Sequence, residues 1–431
     1  MKIGHLIRAE RVRQDMKQIV LAKGICTPSY LSKIERNQIE PSEDITEMLM
    51  ERLGMDPGKL QENDEETELE FEKMLMESYR LVITSRDMEL AKEKIDFLEK
   101  NSPWFENDSL HYTYLLILLR FRLIVGKDFN EMEKEIEALS HSVGEFDAYQ
   151  MYLFKMNNAL YYYNSGIQKK ATSFFQEIMD NLEKIPLSDW EKAEFHYTIS
   201  IIYIAEGQIF IAIEYIRKAL DFFMGNLMMK RVLECYIIIG ITRKRTEQFP
   251  EALEAYSKAM QICEEFNLHS EKGIIYHNIG SLNSTLRNSE QAIEYFLKSI
   301  ESKSENDEMM ITIFCLIVEY SKLNMKKNVI HWAEGGINLY HKLNDESLIS
   351  YFHHFNFYKS LHSEGGLSVE IAELAIQHFK EIQDFRHINK YCIALAEWYY
   401  NNRKYKLSSS YYREANRYGY IYNKVEKWED L

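Results

Sequence analysis

The feature that most limits how this chain can fold is a repeat of about forty residues, which begins near residue 72 and continues to the end of the sequence. In its clearest copies a small residue is followed four residues later by a large one and seven residues later by another small one. These copies are Ala212, Ile216 and Ala219; Ala252, Tyr256 and Ala259; and Ala292, Phe296 and Ser299. Such spacing places all three side chains on one face of a helix. We therefore predict helix pairs in which small residues allow close approach and the large residue fills the gap between pairs.

The first small position can be followed through the chain as a series of markers. The markers are Ala91, Met132, Ala171, Ala212, Ala252, Ala292, Val329, Ser368 and Ser408. Neighbouring markers lie 37 to 41 residues apart, a nearly constant step that predicts an all-α, right-handed α-solenoid of about nine helix pairs. The pattern resembles the tetratricopeptide repeat, with longer linkers, and is weakest at Met132, Ser368 and Ser408.

A different pattern near the N terminus predicts a helix-turn-helix. It runs from Gln18 to Asn37 and reads QIVLAKGICTPSYLSKIERN. Gly24 permits the left-handed backbone of a tight turn between the two helices. Thr27 is a candidate N-cap, and Pro28 occupies the first helical position, where its missing N–H is not needed. The second helix is expected to end near Arg36.

The flanking sequence makes this pattern more specific than an ordinary α-hairpin, which remains the alternative. A basic helix with Ile3 and Ile7 precedes it, and a helix carrying Ile45, Met48, Leu49 and Leu53 follows Pro41. Residues 1–60 resemble the Xre/Cro-type DNA-binding domain through Gln18, Leu21, Ala22, Gly24, Leu31, Ile34, Glu35, Asn37 and Pro41. Pro28 departs from that family, which usually has a polar side chain there. The resemblance implies that Ser29, Ser32 and Lys33 face base edges and that Gln18, Thr27, Tyr30, Arg36 and Asn37 lie near phosphates.

The charge of the chain is unevenly distributed. The net charge is −15, yet residues 1–37 contain eight Lys or Arg and three acids. A basic N-terminal segment on an acidic chain is typical of a DNA-binding module attached to a domain with another task. Residues 61–70, QENDEETELE, contain six acids and no base. We predict a head at residues 1–60, an acidic linker at 61–71 and a repeat body at 72–431, and the acidic segment also fits a solvated helix N terminus.

Several classes of protein do not fit the sequence. The five cysteines are odd in number and widely spaced, and no C-x-x-C occurs, so neither a disulfide framework nor a zinc site is expected. No signal peptide or membrane-spanning apolar run is recognisable, and we expect a soluble cytoplasmic protein. No Gly-rich phosphate loop occurs, and His331 with Glu334 lacks partners for a metal. We expect no enzyme activity, no metal and no cofactor.

In tetratricopeptide-like repeats, the first helix of each pair lines a concave groove. The inward positions in this chain form a polar set near the middle of the body. We predict ligand contacts at Asn157, Tyr163, Asn164, Tyr197, Lys244, Arg245, His277, Asn278, Ser281 and Ser284. An amide such as that of Asn278 can pair with a peptide backbone, and Lys244 or Arg245 suits a carboxylate. A solvated inner surface without a ligand is the alternative.

The head and the repeats together resemble the peptide-pheromone receptors of Gram-positive bacteria, the family of the Rgg, Rap, NprR, PlcR and PrgX regulators. This resemblance implies a quorum-sensing transcription factor that binds an operator and a short signalling peptide as a homodimer or homotetramer. It also implies a possible second role, in which pairs near residues 72–180 bind a sporulation phosphorelay response regulator and inhibit it. A constitutive DNA-binding scaffold is a third possibility.

Overall fold

The computed structural model describes residues 3–14, 16–36, 38–55, 65–103, 105, 107–126, 129–303 and 307–423. These residues form helices joined by turns, and no strand occurs among them. The chain divides into two compact units, residues 1–227 and residues 228–431. The predicted fold class, an all-α chain with a helix-turn-helix head and a series of helix pairs, is confirmed.

The head consists of four short helices around a small apolar core. They are α1 (Ile3–Arg13), α2 (Gln18–Ala22), α3 (Pro28–Glu35) and α4 (Glu43–Arg52). Ile7, Leu21, Leu31, Ile34 and Leu49 are among the buried residues that join them.

Burial along α4 follows the helical period. Met48 is 40% exposed, whereas Met50 is fully buried. The inward face of α4 runs through Thr46, Leu49, Met50 and Leu53, which follow the helical period, and Met48 lies on the opposite face.

Four helix pairs follow the head within the first unit. They are α5 (Glu65–Ser85) with α6 (Met88–Asn101), α7 (Asp108–Val125) with α8 (Phe129–Ser140), α9 (Ala148–Asn164) with α10 (Gln168–Met179), and α11 (Asp189–Ala205) with α12 (Ile209–Gly225). Helix α5 begins inside the segment predicted as a linker, so the acids from residue 65 onwards belong to a helical N terminus. Residues 61–64 lie outside the described part of the chain.

The second unit contains five further pairs in its described residues. They are α13 (Met229–Arg245) with α14 (Phe249–Glu265), α15 (Lys272–Thr285) with α16 (Ser289–Glu301), α17 (Asp307–Lys322) with α18 (Lys326–Leu343), α19 (Ile349–His362) with α20 (Val369–Glu381), and α21 (Phe385–Asn401) with α22 (Tyr405–Asn423). Counting both units, the described ranges hold the nine pairs that the repeat predicts.

The marker residues identify one structural position with a single exception. Every predicted marker except Ser368 is the fourth residue of the second helix of its pair and is at most 2% exposed. Ser368 instead precedes α20, where its hydroxyl accepts a hydrogen bond from the Ile371 amide. Ala372, four residues later, takes the buried position. The turn that contains Gly366, at φ +73°, shifts the start of this helix and so displaces the register.

The large residues of the repeat lie within a pair, which corrects the predicted location between pairs. A Cβ atom at Gly280 of α15 would lie 2.8 Å from the Phe296 ring of α16, and Gly240 of α13 faces Tyr256 of α14 in the same way. Glycine on the first helix therefore makes room for a ring from the second helix. The third repeat position adds a buried polar contact, since the Ser299 hydroxyl donates to the Gly273 carbonyl at 2.7 Å.

Adjacent glycines in α18 allow this packing to be tested. An alanine Cβ at position 336 would lie 2.5 Å from the fully buried Phe355 ring of α19, whereas position 335 has no atom within 4 Å. We expect Gly336→Ala to lower the free energy of unfolding by about 1–3 kcal/mol through overpacking. Gly335→Ala should instead raise it by up to about 1 kcal/mol through helix propensity. Urea unfolding followed by circular dichroism measures both, and equal effects would contradict the contact between α18 and α19.

Candidate functional site

A short turn positions α3 at the surface of the head. Gly24 adopts φ +77°, as predicted, and allows the chain to reverse after α2. The Thr27 hydroxyl accepts a hydrogen bond from the Tyr30 amide at 3.2 Å, and Pro28 is the first residue of α3. The predicted N-cap and helix start are therefore confirmed.

The side chains predicted to contact DNA form the outer face of this helix and its flanks. Thr27, Ser29, Lys33 and Arg36 are exposed, and Tyr30 and Ser32 are half-buried. Leu31 and Ile34 occupy the inner face and are fully buried. Asn37 lies outside the described residues. The exposed groups combine cations that suit phosphates with hydroxyls that suit phosphates or base edges.

A buried carboxylate holds this face in position. Glu35 is 2% exposed and accepts hydrogen bonds from Arg11 Nε at 2.6 Å and Arg11 Nη2 at 2.9 Å. It also accepts one from Gln18 Nε2 at 2.6 Å, so it joins α1, α2 and α3. The amide of Gln18, predicted to lie near a phosphate, is engaged with Glu35. Sequence reasoning does not reveal this role of Arg11 and Glu35, although a carboxylate next to Ile34 on an inner helical face is a usable signal.

The predicted ligand residues divide between the two units. Asn157, Tyr163, Asn164 and Tyr197 belong to the first unit, and the other six belong to the second. In each unit the first helices of successive pairs contact one another. In the first unit, for example, Gln150 of α9 donates to the Ser109 carbonyl of α7 at 2.7 Å, and Tyr149 donates to Glu191 of α11 at 2.7 Å.

Two predicted ligand residues of the first unit lie in these contacts instead. Asn157 is fully buried, and its amide donates to the Leu116 carbonyl of α7 at 2.8 Å. Tyr197 is 6% exposed, and the Arg86 guanidinium covers its ring at 4.3 Å from the centroid. Asn157 therefore faces a neighbouring first helix, and Tyr197 is covered by Arg86, which directly follows α5. Both side chains are buried, so neither forms the solvent-facing part of the surface.

The other two predicted ligand residues of the first unit line a cavity of about 220 Å³ that also contains two arginines. Tyr163 and Asn164 share its wall with Arg86, Arg120 and Thr198. Arg86 pairs with Glu194 at 3.2 Å. The buried Nε of Arg120 has no hydrogen-bond partner among the described residues, and burial lowers the pKa of its guanidinium. A ligand carboxylate in the cavity would interact favourably with the charge of this guanidinium.

In the second unit, the predicted residues form hydrogen bonds between successive first helices. Lys244 of α13 donates to the Ser281 hydroxyl of α15 at 2.6 Å. The Ser284 hydroxyl in turn donates to Glu319 of α17. His277 Nδ1 lies 3.0 Å from the Thr312 hydroxyl of α17, and burial, helped by nearby lysines, lowers the pKa of His277 to about 3. These contacts place the predicted side chains on one continuous surface of this unit.

The two other predicted residues of this unit differ in exposure. Arg245 is exposed. Asn278 is 7% exposed, and its amide donates to the Ile274 carbonyl of the same helix at 2.8 Å. A peptide backbone would therefore have to compete with that bond for the Asn278 amide.

Sequence reasoning missed the continuation of this surface towards the C terminus. The side chains concerned are Cys315, Glu319, Lys322, Tyr358, Arg386 and Lys390, from α17, α19 and α21. The repeat register, applied to the later pairs, is the signal that could have found them. No group of three His, Cys, Asp or Glu suited to a metal ion occurs among the described residues. Within the same residues, no helix is both long and apolar enough to cross a membrane.

Comparison with known proteins agrees with this arrangement. A model described as Helix-turn-helix matches residues 7–60, and one described as Tetratricopeptide repeat matches residues 233–305. The transcriptional activator NprA of Geobacillus stearothermophilus is 28% identical over 407 residues, which cover 92% of this chain and 98% of that relative. The chain is thus similar over most of its length to a protein named as a transcriptional activator.

Other proteins similar to this chain include some named as phosphatases. Response regulator aspartate phosphatase I of Bacillus subtilis (strain 168) is 23% identical over 339 residues, covering 76% of this chain and 84% of that relative. The apo form of the quorum sensor NprR from B. thuringiensis has a TM-score of 0.65 at 18% identity, and NprR with its cognate peptide NprX has 0.62 at 17%. Each covers 81% of this chain and 99% of the NprR chain, so the fold is shared.

The buried carboxylate of the head provides a prediction for this chain. Glu35→Gln should leave the Arg11 charge without its partner and loosen the contact between α1 and α3, at a cost of about 3–5 kcal/mol. Hydrogen exchange of the whole chain, read by mass spectrometry, should show faster exchange in residues 16–36. The exposed Glu47→Gln in α4 is the matched control. Unchanged exchange in Glu35→Gln would mean that the head does not depend on this ion pair.

Proposed function

We propose that the chain is a cytoplasmic quorum-sensing transcription regulator. It binds operator DNA through α3, as a homodimer or homotetramer, and a short linear peptide on the first-helix surface of its repeats controls it. The observation that carries the proposal is the outer face of α3, where Ser29, Lys33 and Arg36 are exposed while Glu35 fixes the helix from beneath. The similarity to NprA, named as a transcriptional activator, supports the DNA-binding role.

Peptide control has separate support. The first-helix surfaces carry cationic side chains, such as Arg120 in the wall of the cavity beside Tyr163 and Asn164, and the solvent-exposed Arg245. NprR, whose fold this chain shares, is known in complex with its cognate peptide NprX. Backbone-pairing amides and cations on one surface suit a linear peptide with an acidic group.

A second role in a phosphorelay is also supported by a specific observation. The similarity to response regulator aspartate phosphatase I covers 84% of that protein and 76% of this chain. We propose inhibition of a response regulator as the second candidate function. Because this role does not require α3, it should survive substitutions that abolish DNA binding.

Lys33→Ala tests the DNA-binding face. We expect operator affinity to fall by about 1–3 kcal/mol if Lys33 contacts a base edge, with little change on random duplex. Electrophoretic mobility shift at fixed salt measures both, and Lys92→Ala, an exposed lysine of α6, is the control of equal charge. An equal loss on both duplexes would make Lys33 a phosphate contact, and no loss on either would argue against α3 as the DNA-binding helix.

Coupling between DNA and peptide tests the regulatory part. Two linked sites must alter each other's affinity by the same factor. We expect saturating operator to change the affinity of the whole chain for a binding peptide several-fold, and residues 1–60 alone to bind operator weakly and without response to peptide. Calorimetric titration with and without operator measures this. Identical peptide affinities would leave the head and the repeats as independent functions.

A further inference from the structure

Positively charged side chains from three different helices converge on the first-helix surface of the second unit. The Cys315 thiol of α17 lies within electrostatic reach of Lys244 of α13, Lys322 of α17 and Arg386 of α21. Lys390 of α21 interacts with Arg386 and Lys322 in the same way. We name Lys244, Lys322, Arg386 and Lys390 the unit 2 cation cluster.

Among the described residues, the carboxylate that interacts with this cluster is Glu319, and that group is already engaged. Glu319 is 1% exposed and accepts hydrogen bonds from Ser284, from Ser289 at 2.7 Å and from Lys322 at 2.6 Å. Among the described residues, Lys244, Arg386 and Lys390 form no ion pair with a carboxylate. The positive charge of the cluster therefore exceeds the negative charge that the described residues bring to it.

The surroundings make this excess charge unfavourable without a ligand. Lys390 is partly reached by solvent, but protein atoms surround much of its side chain. The resulting loss of hydration, together with the positive charges of Arg386 and Lys322, lowers the pKa of Lys390 to about 8. Its ammonium lies 5.3 Å from the centre of the Tyr358 ring of α19. Loss of hydration also lowers the pKa of Lys244. A bound anion would reverse these penalties, because an opposite charge favours the protonated lysine.

We propose that the unit 2 cation cluster receives a carboxylate of the regulatory peptide, so that the peptide is anionic and Arg386 with Lys390 select for its charge. This inference rests on the proposed peptide control. Arg386 and Lys390 are exposed and, unlike the exposed Lys322, form no ion pair with a carboxylate of the described residues; a guanidinium can hold a carboxylate with two parallel hydrogen bonds. The half-buried Lys244 and the hydroxyls beside it lie deeper, which suits a slender peptide better than a DNA duplex. The carboxylate can be the C terminus or an Asp or Glu side chain, since both present the same chemistry.

Matched peptide pools distinguish these sources. Synthetic heptapeptides would carry Asp or Glu in one pool and Asn or Gln at the same positions in the other, each with a free or an amidated C terminus. The pools are equilibrated with the full chain, and the retained peptides are quantified by mass spectrometry. We expect the wild type to retain carboxylate-bearing peptides about tenfold more strongly, which corresponds to one charge-assisted hydrogen bond. Loss on amidation identifies the C terminus, and loss in the amide pool identifies a side chain.

Two variants assign the preference to the cluster. Arg386→Gln with Lys390→Gln should abolish the preference for carboxylates while leaving the helicity of the chain unchanged, since both side chains are exposed. Lys326→Gln with Lys327→Gln removes the same charge from exposed positions of α18 and should keep the preference.

Each possible failure has a separate meaning. A wild-type chain that binds peptides without charge preference, or a preference that survives in the Arg386 and Lys390 variant, overturns the inference and leaves peptide control standing. Duplex binding that depends on Arg386 and Lys390 but not on Lys33 would assign the cluster to DNA and also overturn it. Retention of no peptide from any pool refutes the proposed peptide control itself, and the inference with it.

Discussion

The close contact between a glycine and an aromatic ring is the interaction that sets the packing of several helices in the second unit. Gly240 and Gly280 on first helices receive Tyr256 and Phe296 from the second helices of the same pairs, and Gly336 of α18 receives Phe355 from the next pair. A methyl group added at any of these glycines would overlap the facing ring. Because protein interiors are packed as densely as organic crystals, such a contact fixes the separation of two helices within narrow limits. That separation determines which side chains of neighbouring first helices meet.

The polar ladder between first helices follows from this spacing. Lys244 reaches Ser281, Ser284 reaches Glu319, and Ser321 of α17 reaches His362 of α19 at 2.8 Å. Buried polar groups require partners, so these bonds stabilise the stack and also remove several polar side chains from any role with a ligand. Among the described residues, Lys244, Arg386 and Lys390 of this unit form no ion pair with a carboxylate, so they add positive charge to the surface. The ladder therefore explains why the surface is both ordered and positively charged.

The head depends on a different contact of the same kind. Glu35 accepts hydrogen bonds from Arg11 and Gln18. Breaking a buried ion pair destabilises the fold because it leaves a buried charge without a partner. The contacts of Glu35 fix α3 against α1 and α2, while Ser29, Lys33 and Arg36 on its outer side remain exposed to solvent. In both parts of the chain, a buried polar or tightly packed contact on one face of a helix determines what the opposite face can bind.

The sequence by itself determined the class of fold, because a forty-residue period and the chemistry of Gly24, Thr27 and Pro28 are local signals. It also predicted eight of the nine marker positions and the outer face of α3. It failed at Ser368, where the turn before α20 moved the register to Ala372. Only the tertiary structure revealed that Asn157 faces another helix and that Gln18 donates a hydrogen bond to Glu35. It also revealed that Arg386 and Lys390 lie near Lys322 in the unit 2 cation cluster. The physical reason is that burial and partnership depend on which distant helices touch, and no single helix encodes the side chains of its neighbours.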